Sequence, residues 1–222
     1  MTSPPHLEME FRAIIDCNNL FSGYHLAAAI KKQLQVIGQA EAVQRFLNNS
    51  EIGIRLDHFS FGPKRWAQKL VMRLPADSID IFLPLAGATL NVANNRLTLG
   101  TPSVLPLTPS PRLFSNYVTI KGFEEWNSFL VAAIRQINAY AIGNVAVSPL
   151  YRETITNRRV ITIKQKRIVG FAIAIECVNA EQSLELQSRG IGGRRHFGAG
   201  IFQPRNHNES TFALNLTREL LV

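Results

Sequence analysis

Twice along this chain the hydrophobic period switches from two residues to about 3.6 and back, in the same order each time. Period two puts alternate side chains on opposite faces of a strand, and period 3.6 puts every third or fourth on one stripe of a helix. Leu7–Asp16 alternates and reads as a strand, and Asn18–Gly23 reads as a turn. Tyr24–Ile37 has helical spacing, with Leu26, Ile30 and Leu34 on one stripe, and Ala40–Leu47 reads as a second, short helix. Ile52–Phe61 and Trp66–Leu74 are strand-like and flank the turn Gly62-Pro63-Lys64-Arg65. Ser78–Leu85 reads as a short helix opened by Asp77 and Ser78, and Thr89–Leu99 as one or two short strands around Asn94-Asn95. Strand–helix–strand–strand–helix–strand is the ferredoxin-like order.

The segment Gly100–Pro111 holds four prolines and reads as a linker. The order then recurs. Leu113–Lys121 is a strand and Glu124–Tyr140 an amphipathic helix, on which Trp126 and Phe129 are core residues. Strands follow at Val145–Tyr151, Arg159–Ile163 and Arg167–Val178, the last two joined by Lys164-Gln165. Ala180–Gln187 is a short helix, and Ile201–Gln203 closes the pattern as a strand. No sequence repeat accompanies this repeated order. The expected fold is α+β: two tandem ferredoxin-like (RRM-like) domains at 1–100 and 112–222, a proline-rich linker at 101–111, and a glycine-rich loop at 189–200.

Apolar residues make up 46% of the 222, enough to bury a sizeable core, so the chain is not a disordered one. Lys and Arg number 24 against 16 Asp and Glu, a net charge of +8, and such an excess favours a polyanionic partner. Leu150–Arg205 carries ten of those cations and four acids, so most of the excess sits in one quarter of the chain. Arg158, Arg159, Lys164, Lys166 and Arg167 belong to it and are candidates for phosphate contacts. Apolar runs fall short of a membrane span, and Met1–Glu10 lacks a signal-peptide core. Cys17 and Cys177 lie far apart in apolar, strand-like runs and read as buried free thiols in a cytoplasmic protein.

Between Ser188 and Phe202, five glycines, three arginines and a histidine fall within twelve residues. Glycine lets a backbone approach a ligand closely, exposed N–H groups cradle phosphate, and arginine adds charge-assisted bidentate contacts. Arg189, Gly192, Gly193, Arg194, Arg195, His196, Gly198 and Gly200 are therefore candidates for holding a sugar-phosphate backbone. A dinucleotide-binding loop needs a strand before it and a helix after it, and here the order is reversed. A purely structural connection is the other reading, against which stand three arginines with no acid nearby.

A helix, a glycine-rich loop with the core Gly192-Gly193-Arg194-Arg195-His196-Phe197-Gly198-Ala199-Gly200-Ile201-Phe202, and a closing strand resemble the RAMP superfamily of CRISPR-associated proteins. Within it the loop is similar to the endoribonucleases that process repeat transcripts into guide RNAs, of a short-chain type I-like kind. Phe82–Gly87, Val118–Phe123 and Lys166–Phe171 support the resemblance, which spans roughly Leu7–Pro204. It implies two ferredoxin-like domains, CRISPR repeat RNA as partner, no cofactor and no metal. It also implies cleavage by the substrate's own 2′-hydroxyl, leaving a cyclic phosphate. Other subunits of a guide-RNA effector complex are partners it allows, and monomer and homodimer both stay open.

In that family a catalytic histidine stands in or beside the first helix, the place of Ser22-Gly23-Tyr24-His25-Leu26-Ala27-Ala28-Ala29-Ile30 here. The resemblance thus makes His25 the general acid or base, with Tyr24 and Lys31 or Lys32 as helpers. Imidazole suits the task because it titrates near neutrality. The bland alternative for His25 is a partly buried structural histidine. His58 shares a strand face with Ile54 and Leu56 and reads as core or domain interface, while His6 and His207 lie in polar segments and receive no role. No histidine pair has metal-ligand spacing, which disfavours a two-metal nuclease. Trp66, beside Lys64 and Arg65, is a candidate stacking ring or a half-buried strand residue. The other functional readings are a catalytically silent RNA-binding subunit of a guide-RNA complex and a generic RNA-binding protein.

Overall fold

The computed structural model describes residues 5–15, 22–48, 52–61, 65–139, 145–150, 157–177 and 179–204, with the backbone alone described at 58–61 and 65–67. The first half begins with β1 (His6–Ile15), α1 (Gly23–Val36) and α2 (Ala40–Asn48). β2 (Gly53–Phe61) and β3 (Arg65–Pro75) follow, then the four-residue α3 (Ile79–Phe82) between short 3-10 turns, β4 (Thr89–Val92) and β5 (Asn95–Pro106). Its sheet runs β2-β3-β1-β5-β4 and the paired strands are antiparallel. With β4 set aside as the outer half of a hairpin, this is the ferredoxin-like order.

The second half repeats the plan with β6 (Arg112–Val118), α4 (Trp126–Asn138), β7 (Ala146–Pro149), β8 (Arg158–Ile163), β9 (Lys166–Glu176), α5 (Ala180–Arg189) and β10 (Gln203–Pro204). The sheet order is β10-β6-β9-β7, with β8 also on β9. β7 pairs with the second part of β9 and β8 with the first, so the two together fill one edge position. The α+β architecture of two tandem ferredoxin-like halves agrees with the sequence reading. The turns at 18–23 and 62–65 fall largely outside the described residues.

Alternation builds both cores. On β1, Met9, Phe11, Ala13 and Ile15 point to the helices and are buried, meeting Leu26, Ile30 and Leu34 of α1 and Phe46 of α2. In the second half Phe129, Ala132, Ala133 and Ile137 of α4 meet Val169, Phe171, Ile173 and Ile175 of β9. Each large apolar side chain sequestered this way contributes about 1.5–3 kcal/mol. Trp126 packs on Phe129 and Phe171 with ring centroids 5.9 and 5.5 Å away, a core role as its helical spacing suggests.

Two sequence expectations need correcting. Residues 101–106 are not linker: β5 continues to Pro106 and pairs with β1, leaving a connection of 107–111. Past Leu99 no described strand covers the outer side of β5, so its prolines cost no ladder hydrogen bond. Pro102 and Pro106 oppose Phe11 and Leu7, four residues apart in register, and both direct their missing N–H away from β1. His6, which receives no role from the sequence, is built into the fold. It begins β1 opposite Pro75 and is only 7% exposed.

Candidate RNA-binding and active site

The site forms where the C-terminal loop meets the start of α1. Gly23 is the first residue of that helix, and a Cβ built on it would stand 2.0 Å from the carbonyl oxygen of Phe197. No side chain fits there, so the loop backbone lies directly on the helix's first turn. Tyr24 then packs its ring edge-on against Phe197, with centroids 5.4 Å apart, and against the neighbouring His25 ring at 5.6 Å. His196 touches Phe197 at 4.0 Å and Phe46 of α2 at 6.2 Å. A chain of ring contacts thus carries the loop from the first half's core to His25.

His25 is exposed. Its Nδ1 lies 3.2 Å from Ser22 Oγ and 3.4 Å from the Ser22 amide, which donates to it. Nε2 makes no hydrogen bond to a described residue. The buried-histidine alternative is therefore set aside by geometry. Lys32 shares the exposed face of α1 with His25 and Ala28, two turns and about 10 Å further along the axis. Lys31 is half-buried, on the flank of that face.

The loop's glycines are used chiefly for architecture. Cβ atoms at Gly190 and Gly200 would each fall 2.1 Å from a carbonyl of the other loop arm, and one at Gly192 would fall 2.3 Å from Thr119 O. The loop amides are also spent internally. Gly192 donates to Gln136 Oε1, Gly193 to Thr119 O, Gly198 to Arg195 O and Gly200 to Tyr117 O, all between 2.7 and 3.0 Å. What the loop offers outward is its crest, Gly193 and Arg194, both exposed. Arg194 has no acidic partner among the described residues. The residue sits in the left-handed region at φ 67° and its carbonyl accepts from Phe197, which ties the guanidinium's base to the ring chain beside His25.

Arg195 goes the other way. It is 3% exposed, and its Nη1 donates to Ser188 O at 2.7 Å and also to Arg189 O, capping the end of α5. Arg73, on β3, adds to that cap by donating to Gln187 O at 2.9 Å, and also donates to Phe202 O, beyond the loop, at 2.6 Å. Arg73 is 1% exposed and paired with Glu8, which Arg55 also holds. Burial by itself pushes the Glu8 carboxyl up, and the two guanidinium groups more than offset it, holding it at about 2. This cluster clamps the two halves. His6 lies close by, and burial together with the charges of Arg195, Arg73 and Arg189 lowers its pKa to about 4. Burial and then Arg194 lower His196 as well, and its ring packs against Phe46 and Phe197.

Arg189 is exposed and paired with Glu185 across one helical turn. Lys164, Lys166 and Arg167 are exposed at the β8–β9 hairpin and have no acidic partner among the described residues, while Arg158 and Arg159 lie on β8. The hairpin belongs to the loop's end of the sheet. Tyr117 OH donates to Ile168 O at 2.9 Å and Thr119 Oγ1 to Val169 O at 2.7 Å, while the backbone carbonyls of those same two residues accept from the loop. The side chains of His58 and Trp66, and all of His207 and Cys17, lie outside the described residues. Cys177 is a free, half-buried thiol that burial pushes up to about 11. Among the described residues no three His, Cys, Asp or Glu side chains converge as a metal-ligand set, and no helix is long and apolar enough to cross a membrane.

Sequence reasoning named His25, Tyr24 and Arg194 as candidates and passed over Ser22, Gly23 and Phe197, which the structure places against Tyr24 and His25. Gly23 and Phe197 come together only by a contact across the chain. Ser22 carried a local signal, a serine three residues before a side chain able to accept from its amide.

Tandem ferredoxin-like halves with a glycine- and arginine-rich loop wedged at their seam are the architecture that the RAMP resemblance implies. Solved structures share the fold. "CRISPR associated protein Cas6" superposes with a TM-score of 0.63 at 13% identity, over 90% of this chain and 100% of its own. The product of "a Cas6-related gene from Pyrococcus furiosus" gives 0.62 at 10% identity, over 91% and 100%. "An RAMP protein binding different RNA substrates" gives 0.63 at 10%, over 90% and 100%. Residues 9–207 match the Cas6 family ("Cas6 Crispr"), and the chain belongs to that family. It is also 40% identical over 133 residues to the "CRISPR-associated endonuclease Cas6" of Myxococcus xanthus (strain DK1622). That stretch takes in 60% of this chain and 55% of the relative, so the match spans about half of the relative's length.

Proposed function

We propose that this protein binds CRISPR repeat RNA and cuts the precursor transcript into guide RNAs, using the substrate's 2′-hydroxyl as nucleophile and no metal ion. The observation that carries the reading is the ring contact by which Tyr24 links exposed His25 to Phe197 of the loop, three residues from exposed Arg194, on a family member of this fold. In the step proposed, a bond forms between the 2′-oxygen and phosphorus as the bond from phosphorus to the 5′-oxygen breaks. The 2′-hydroxyl proton leaves and the 5′-oxygen gains one, which gives a 2′,3′-cyclic phosphate and a 5′-hydroxyl. His25 moves one of these protons at Nε2, work worth roughly 10²–10⁴-fold in rate. Arg194 stabilises charge on the phosphate, and Lys32, Lys164, Lys166 and Arg167 hold neighbouring phosphates along the strand. Tyr24 orients His25 through its ring contacts.

A repeat RNA carrying a single 2′-deoxy nucleotide at the cut position tests the chemistry. In EDTA the all-ribose RNA should be cut to a cyclic-phosphate end, and the deoxy RNA should be bound equally well and left whole. Cleavage of the deoxy RNA, or cleavage that needs an added divalent ion, would contradict the mechanism.

A further inference from the structure

Ser22 precedes the first turn of α1 with extended backbone, φ −81° and ψ 160°, as an N-cap residue does. Three residues on, where a capping box would place a Glu or Gln, stands His25. Its Nδ1 faces two groups of Ser22, the amide N–H at 3.4 Å and Oγ at 3.2 Å. These make opposite demands on the ring. An amide N–H can only donate, so it favours a bare Nδ1 and a proton on Nε2. A hydroxyl donates or accepts and can follow Nδ1 in either state. An imidazole exchanging a proton at Nε2 must keep one on Nδ1 throughout, because both nitrogens are protonated before Nε2 gives its proton up and Nδ1 alone is afterwards. Among the described partners of Nδ1, only the Ser22 hydroxyl can accept that N–H, and no described carboxylate contacts the ring.

We propose that Ser22 is the positioning residue of His25: its Oγ accepts the Nδ1–H and thereby leaves Nε2 as the nitrogen that exchanges a proton with the substrate. This rests on the ribonuclease reading above. Whether the proton is the one leaving the 2′-hydroxyl or the one reaching the 5′-oxygen, it passes at Nε2 while Nδ1–H stays on Ser22. The step requires no reactant beyond the RNA.

Ser22→Gly separates this role from helix capping. Glycine serves at an N-cap nearly as well as serine, so α1 survives while the hydroxyl is lost. Ser22→Thr returns the hydroxyl. Full-length protein is assayed for single-turnover cleavage of repeat RNA, for RNA affinity, and by ¹⁵N NMR for the tautomer of the His25 ring. Cleavage by the glycine variant should fall on the order of tenfold or more with affinity unchanged, and the threonine variant should stay near wild type. The neutral ring should carry Nδ1–H in wild type and shift to Nε2–H in the glycine variant. Equal cleavage by wild type and Ser22→Gly, or a tautomer indifferent to the hydroxyl, overturns the proposal. If wild type cuts no repeat RNA, the ribonuclease reading falls, and the tautomer alone decides whether Ser22 holds Nδ1–H.

Discussion

Gly23→Ala sets two physical effects against each other, and the structure decides between them. Alanine is the better helix former by up to about 1 kcal/mol, so propensity alone predicts a gain in stability. The new Cβ, however, falls 2.0 Å from Phe197 O, and reaching ordinary van der Waals contact moves the two backbones apart by about 1.4 Å. Overpacking of that kind costs about 1–3 kcal/mol, which cancels the gain or exceeds it. The displacement also shifts Phe197, on which Tyr24 packs beside His25. A misplacement of about 1 Å can cost about 10²-fold in rate, equivalent to about 2.7 kcal/mol of transition-state stabilisation. Urea unfolding and single-turnover cleavage of repeat RNA measure the two parts. The variant should be no more stable than wild type and should cleave about 10²-fold more slowly. A variant that is more stable and cleaves at the wild-type rate would refute the claim that this contact positions the site.

The two adjacent loop arginines should part company. Arg194→Ala should weaken RNA binding and lower the slope of log affinity against log salt by about 0.7–0.9, whereas Arg195→Ala should lower the melting temperature, since its side chain caps α5. Arg73→Leu leaves Glu8 buried and removes the donors to Gln187 and Phe202. A loss of about 3–5 kcal/mol in urea unfolding is expected. His6 should give the fold an acid limb. Between its folded pKa near 4 and its ordinary 6.5 the unfolded chain binds the proton and the folded chain does not. This part of the stability, on the order of 3 kcal/mol, is complete above pH 6.5 and is lost as pH falls towards 4. His6→Leu should flatten unfolding free energy against pH across that window, and an unchanged slope would count against the burial of His6.

Much of the fold could be read from the sequence because its cause is local. The alternation of Met9, Phe11, Ala13 and Ile15 and the stripe Leu26–Ile30–Leu34 mark strand and helix faces without knowledge of partners. Misreadings arose where a residue's meaning depends on something distant. Pro102 and Pro106 look like linker until β5 is seen to pair there with β1 and with no other described strand, and His6 looks idle until it is seen buried near Arg189 and Arg195 of the second half. Arg194 and Arg195 are indistinguishable as letters, yet one points to solvent and the other caps a helix. The clamp at Arg73 joins residues more than a hundred positions apart, which periodicity cannot reveal. His25 is a candidate only through the family resemblance, while its hydrogen-bond partner Ser22 lies three residues away in a pattern normally completed by Glu or Gln.

The most direct test of the account is incubation of labelled CRISPR repeat RNA with wild type and His25→Ala in EDTA, with affinity measured alongside. The account predicts a single cut by wild type, a loss of at least about 10²-fold in the variant, and similar affinity for both. Equal cutting by the two would remove His25 from the chemistry, and binding without a cut by either would leave an RNA-binding subunit that does not cleave.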